Sequence, residues 1–93
     1  MIHKNIRVKG KVQGVYYRAS TVDMAKSLGL KGFVLNEPSG SVYMEAEGDE
    51  EQVNQLIEWA AKGPTRAIVE ALEITDGAVV GFGAFEIRYS THR

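Results

Sequence analysis

The segment Gln13-Gly14-Val15-Tyr16-Tyr17-Arg18 gathers the residue types that hold an anion. A glycine lets the backbone curl, and the N–H groups of the residues after it then converge on one point. If a helix starts there, the N–H groups of its first turn have no partner inside the helix and add to the same field. Arg18, one turn in, can close such a nest with a two-pronged guanidinium. The same residues also describe an ordinary strand-to-helix turn whose arginine is a solvated surface charge. Residue types alone leave both readings open.

Composition removes several chemistries. The chain of 93 residues has no cysteine, which excludes disulfides, thiolate metal sites and a cysteine nucleophile. Val12 stands six residues before Arg18, where a phosphatase working through phosphocysteine would carry its nucleophile. Any phosphoryl chemistry here is therefore direct attack by water. Lysine plus arginine number 11 against 12 aspartates and glutamates, a formal net charge of −1. That balance offers no general attraction to nucleic acid or to an anionic membrane, so an anion site must be local. The longest apolar and glycine run, Ala78 to Phe85, falls far short of the ~20 residues of a membrane span. The start Met1 to Arg7 lacks the apolar core of a secretory signal. The expectation is a cytoplasmic protein of one domain, 1–93, with no cofactor and no metal. His3 and His92 read as solvated residues of the two tails. Glu45, Glu47, Asp49, Glu50 and Glu51 read as a solvated acidic face without the spacing of a calcium loop.

The elements that must position the nest follow from periodicity. Ile6, Val8 and Val12 alternate with polar residues, which predicts a strand that Gln13-Gly14 breaks. Val22, Ala25 and Leu28 recur at helical spacing over Arg18 to Leu28, with Gly29 as the stop. Phe33 to Leu35 and Val42 to Ala46 predict a hairpin about the turn Glu37-Pro38-Ser39-Gly40. Asp49 and Gln52 suggest a capping box before the stripe Val53, Leu56, Ile57 and Ala60, and Gly63-Pro64 ends that helix. Residues 67–74 predict a fourth strand, in which Val69 and Leu72 share a face only if a bulge lies near Glu70-Ala71. Asp76-Gly77 predicts a turn, Gly81-Phe82-Gly83 a bend, and Phe85, Ile87 and Tyr89 a fifth strand. The order βαββαβ plus one strand predicts an α+β, ferredoxin-like split βαβ sandwich. Two helices then lie on one face of a mixed, mostly antiparallel sheet.

At this level of detail the chain resembles a known family. Gly10-Lys11-Val12-Gln13-Gly14-Val15-Tyr16-Tyr17-Arg18, joined to Gly32-Phe33-Val34-Leu35-Asn36, resembles the acylphosphatases. Gly63-Pro64, Ala67, Val69 and the ending Phe85 to Tyr89 fit the same pattern. The resemblance implies metal-independent hydrolysis of acyl phosphates to a carboxylate and inorganic phosphate. It implies that Arg18 binds the phosphate and that Asn36 positions the attacking water. The loop Gly14, Val15, Tyr16, Tyr17 and Arg18 would then cradle the substrate through its backbone, with inorganic phosphate or sulfate as competing anions. Tyr17 replaces a usual phenylalanine and Phe33 a usual tryptophan, and both keep an aromatic ring. Glu37 follows Asn36 where some relatives carry a small hydroxyl residue able to hold the amide. Ser90 to Arg93 extend past a common end point, so the resemblance gives the terminal carboxylate no role near Arg18.

The implied chemistry is self-consistent. A carboxylate leaves readily, so no general acid is needed, and water needs orientation more than deprotonation. An uncharged carboxamide orients water without repelling a dianion. Two other classes compete. Lys31-Gly32-Phe33-Val34 briefly matches an RNA-binding aromatic signature, but Leu35 and Asn36 break it. A purely regulatory anion-binding module explains Arg18 but not an amide such as Asn36 beside it.

Overall fold

The computed structural model describes residues 1–89 of the chain. In β1 (Ile2–Lys11) Ile6 and Val8 are fully buried on one face, while Asn5, Arg7 and Lys9 take the other. The chain continues through α1 (Tyr17–Ser27), β2 (Lys31–Asn36), β3 (Val42–Gly48), α2 (Glu50–Ala60), β4 (Ile68–Gly77) and β5 (Phe85–Ile87). The strands form one sheet in the order β4-β1-β3-β2-β5. The β2–β5 pair is parallel and the others are antiparallel. This is the α+β architecture that the element order predicts. α1 packs on β2 and β5, and α2 on β1 and β3. Between the layers lie Ile6, Val8, Val34, Met44 and Phe85 from the sheet, with Tyr17, Ala25, Val53 and Leu56 from the helices. Each large apolar side chain so buried contributes about 1.5–3 kcal/mol. No helix among the described residues is long and apolar enough to cross a membrane.

Two glycines shape the frame around the site. Gly29 (φ +73) follows α1, where Leu30 N–H bonds to Ala25 C=O at 2.9 Å and Gly29 N–H to Lys26 C=O at 3.0 Å. This crossed pair ends the helix and turns the chain into β2. On β1, Lys9 faces Ala71 and Gly10 faces Val69, so Glu70 is the extra residue of the predicted bulge. Gly10 (φ +133) is required there, because a Cβ would stand 2.1 Å from Ile68 C=O. With the bulge in place, Val69 and Leu72 both pack against the core.

Four expectations need correction. Asp49 precedes α2 but its side chain makes no capping bond, and the Gln52 side-chain oxygen is buried without a partner. Glu50 and Glu51 answer the helix dipole instead. β4 runs through Asp76 and Gly77, because Gly77 still pairs with His3. β5 stops at Ile87, although Arg88 N–H still reaches Val34 C=O at 2.8 Å, and Tyr89 is exposed.

The fourth correction concerns His3 and Glu47, which are buried rather than solvated. His3 sits in β1 between paired neighbours on both sides, with the Phe82 ring 6.0 Å away. Its Nδ1 lies 2.7 Å from a Glu47 oxygen, and its Nε2 lies 3.0 Å from Glu45. Glu47 also accepts bonds from the N–H groups of Val80, Gly81 (3.0 Å) and Phe82 (3.3 Å), so the bend at 81–83 folds over it. Burial opposes its ionisation, but these amides and His3 bring its pKa down to about 2. Burial likewise opposes charge on His3, yet bonds to Glu47 and Asn5 and the charges of Glu45 and Glu47 raise its pKa. Ser90 to Arg93, with His92 and the terminal carboxylate, lie outside the described residues.

Candidate active site

The loop after β1 is folded by its own alternation. Val12, Val15 and Tyr17 are buried, whereas Gly14 and Tyr16 are exposed. Two left-handed residues make the curl, Gly14 (φ +74) and Tyr16 (φ +62). For a tyrosine that conformation costs ~1–3 kcal/mol, which packing on either side must hold. Val15 and Tyr17 supply that packing. The Tyr17 hydroxyl donates to Ala60 C=O at 2.7 Å, and its ring lies 5.4 Å from that of Trp59. Burial raises the Tyr17 pKa, so the hydroxyl stays a neutral donor.

α1 starts at this curl with an open end. Tyr16 gives no side-chain cap, and the first turn holds no acidic residue. The first bond into the helix is Ser20 N–H to Tyr16 C=O at 3.0 Å. Helix geometry therefore leaves the N–H groups of Tyr17, Arg18 and Ala19 without an acceptor inside the helix. Those groups and the positive end of the dipole face a cleft of about 400 Å³.

Gly14, Tyr16, Tyr17 and Arg18 line that cleft together with Asn36 and Arg66. Arg18 is half-buried, its guanidinium carbon 5.4 Å from the centre of the Tyr89 ring, and it pairs with no carboxylate among the described residues. Asn36 is the last residue of β2, and its Oδ1 is buried without a hydrogen-bond partner. An unmet buried acceptor is costly. Among the described residues no acidic side chain lines the cleft, where Arg18 and Arg66 bring positive charge although the chain as a whole is not positive. Among the described residues no three His, Asp or Glu side chains gather as a metal group.

The structure thus brings Gly14, Tyr16, Tyr17, Arg18 and Asn36 together. Val15 differs in that it does not line the cleft, its side chain lying in the core like that of Tyr17. Arg66 was missed, because a single arginine after Gly63-Pro64 sits in no periodic pattern. Glu37 does not hold the Asn36 amide. Its carboxylate instead forks onto Arg7 at 2.7 and 3.0 Å. The backbone beside Asn36 is held by Gln13, whose Nε2 donates to Glu37 C=O at 2.9 Å and to Ser41 C=O at 3.0 Å.

Residues 4–87 match the family described as Acylphosphatase. A relative from Thermotoga petrophila named acylphosphatase is 44% identical over 84 residues, covering 90% of this chain and 93% of its own. One of the same name from Acaryochloris marina is 49% identical over 80 residues, 86% of each chain. The solved structure of an acylphosphatase from Bacillus subtilis superposes with a TM-score of 0.93 at 31% identity. It covers 96% of this chain and 100% of that one.

Proposed function

The chain belongs to the acylphosphatase family and is a hydrolase of acyl phosphates, and we propose that it acts by direct attack of an oriented water without a metal. The observation that carries this reading is the unpaired Asn36 Oδ1 in one cleft with Arg18 and the uncapped start of α1. The phosphoryl group binds to the N–H groups of Val15 to Arg18, and the Arg18 guanidinium takes two of its oxygens. Asn36 Oδ1 accepts a hydrogen bond from water and turns a lone pair toward phosphorus. The water oxygen forms the new P–O bond as the bond to the acyl oxygen breaks. The electron pair leaves on the carboxylate, and the water proton passes to phosphate and solvent.

Charge grows on the equatorial oxygens of a loose transition state, where fixed amides and a guanidinium stabilise it. Removing one such donor typically costs ~3–4 kcal/mol. The carboxylate needs no acid to leave, which fits a cleft with no acidic side chain among the described residues that line it. The direct test is hydrolysis of an aromatic acyl phosphate followed by absorbance. Activity is expected to persist in excess chelator, with inorganic phosphate competing against substrate. An aliphatic phosphate monoester, whose alkoxide needs an acid, is expected to turn over very poorly. Loss of activity in chelator, restored by Mg²⁺ or Zn²⁺, would refute the metal-free route.

A further inference from the structure

The amide of Gln13 links two parts of the site that are otherwise on separate loops. The hairpin between β2 and β3 closes at its neck through Glu37 N–H to Ser41 C=O at 2.8 Å and Gly40 N–H to Glu37 C=O at 3.0 Å. Beyond the last ladder pair, Asn36 with Val42, Pro38 and Ser39 are exposed. The neck's two carbonyls are the ones that receive the Gln13 Nε2, one on each side of the hairpin. Gln13 itself stands directly before Gly14, where the curl toward Arg18 begins.

The Gln13 carboxamide therefore joins the phosphate loop to the hairpin that carries Asn36. The Glu37 side chain is held separately by its fork onto Arg7. Asn36 has no side-chain bond on its oxygen to fix it from within. Its place relative to the phosphate depends on what ties its backbone to the loop.

We propose that Gln13 is a positioning residue that sets Asn36 against the phosphate loop, an inference that rests on the water-orienting role proposed above for Asn36. Both hydrogens of its Nε2 are engaged by backbone, so the Gln13 side chain has no donor left for substrate. Its effect travels through the hairpin neck. A misplacement of about 1 Å is enough to cost up to ~10² in rate, even when no reacting group is removed.

The test is a double-mutant cycle. Gln13→Met removes both donors at similar length, and Gln13→Glu sets a carboxylate against two carbonyls. Each is made alone and together with Asn36→Ala, with kcat, KM and the inhibition constant of inorganic phosphate measured for all. Thermal melts restrict the comparison to temperatures at which every variant is folded. The expected result is a kcat loss of about tenfold for Gln13→Met and more for Gln13→Glu, phosphate inhibition staying within about twofold. In the Asn36→Ala background the same changes are expected to cost almost nothing further, since the residue they position is gone. Equal fold-losses in both backgrounds would overturn the proposal alone. So would weakened phosphate inhibition with kcat kept, which would assign Gln13 to the phosphate loop. Unchanged kcat in Asn36→Ala would instead overturn the water-orienting reading, and the proposal with it.

Discussion

Two loops of this molecule aim backbone N–H groups and basic side chains at a point where negative charge belongs. In residues 78–84 the chain supplies the anion itself. The N–H groups of Val80, Gly81 and Phe82 converge on the Glu47 carboxylate, and His3 closes the other side. At residues 13–18 none of the described residues supplies one. α1 has no side-chain cap and no acidic residue in its first turn, and Arg18 has no carboxylate partner among the described residues. A missing cap costs ~1 kcal/mol and a left-handed Tyr16 ~1–3 kcal/mol more. The same backbone device thus meets a carboxylate of the chain in one loop, and in the other it meets none among the described residues.

The contrast should break most sharply at Arg18. Arg18→Ala is expected to lower kcat by about 10³ and to weaken phosphate inhibition as well, because the guanidinium meets phosphate before and during reaction. Arg18→Lys should restore only part, since an ammonium cannot make the two-pronged contact. Steady-state kinetics with phosphate titration measure both, and thermal melts should show little change in stability. Glu47→Gln should behave in the opposite way. Breaking a buried charge pair costs on the order of 3 kcal/mol, enough to lower Tm by more than ~10 °C in a domain of this size. At temperatures where that variant is folded, kcat should match the parent.

A pH series sharpens the comparison. The folded pKa of Glu47, about 2, lies below its ordinary 4.5. Its contribution is present above pH 4.5 and lost as pH falls from there toward 2. His3 is raised above 6.5, so its contribution is full below that pH and lost as pH rises through the raised value. Melting temperature should therefore fall on both sides of a mildly acidic plateau, and Glu47→Gln should flatten the acidic limb. The smallest effect belongs to Arg66, which is exposed in the cleft. Arg66→Ala should raise KM a few-fold with kcat nearly kept, and added salt should shrink the difference, as for a solvent-screened charge.

Where one pattern decided an element, the structure follows the sequence. Alternation in β1 and β3, the Gly29 stop and the bulge at Glu70 are all local consequences of residue type and spacing. The loop before α1 was legible as a candidate anion site because Gly14 and Arg18 lie four residues apart in one segment, though the residues alone fitted an ordinary turn equally well. Asn36 was legible only through family resemblance. Nothing local marks an asparagine at a strand end as a candidate until it is seen to line one cleft with that loop. His3 and Glu47 were misread for a related reason. They are 44 positions apart, and only the pairing of β1 with β3 makes each the other's partner. Gln13 bonds across to another loop and Arg66 lines the cleft from a third, where no periodicity reports it. Long-range polar pairing was the hidden part.

The central claim is that an open loop and one unpaired amide divide the work, the loop holding phosphate and the amide holding water. The most direct test is Asn36→Ala, with kcat and phosphate affinity measured on the same folded sample. The account predicts kcat reduced by about 10²–10³ with phosphate affinity within about twofold of the parent. Near-normal kcat together with lost phosphate affinity would contradict it.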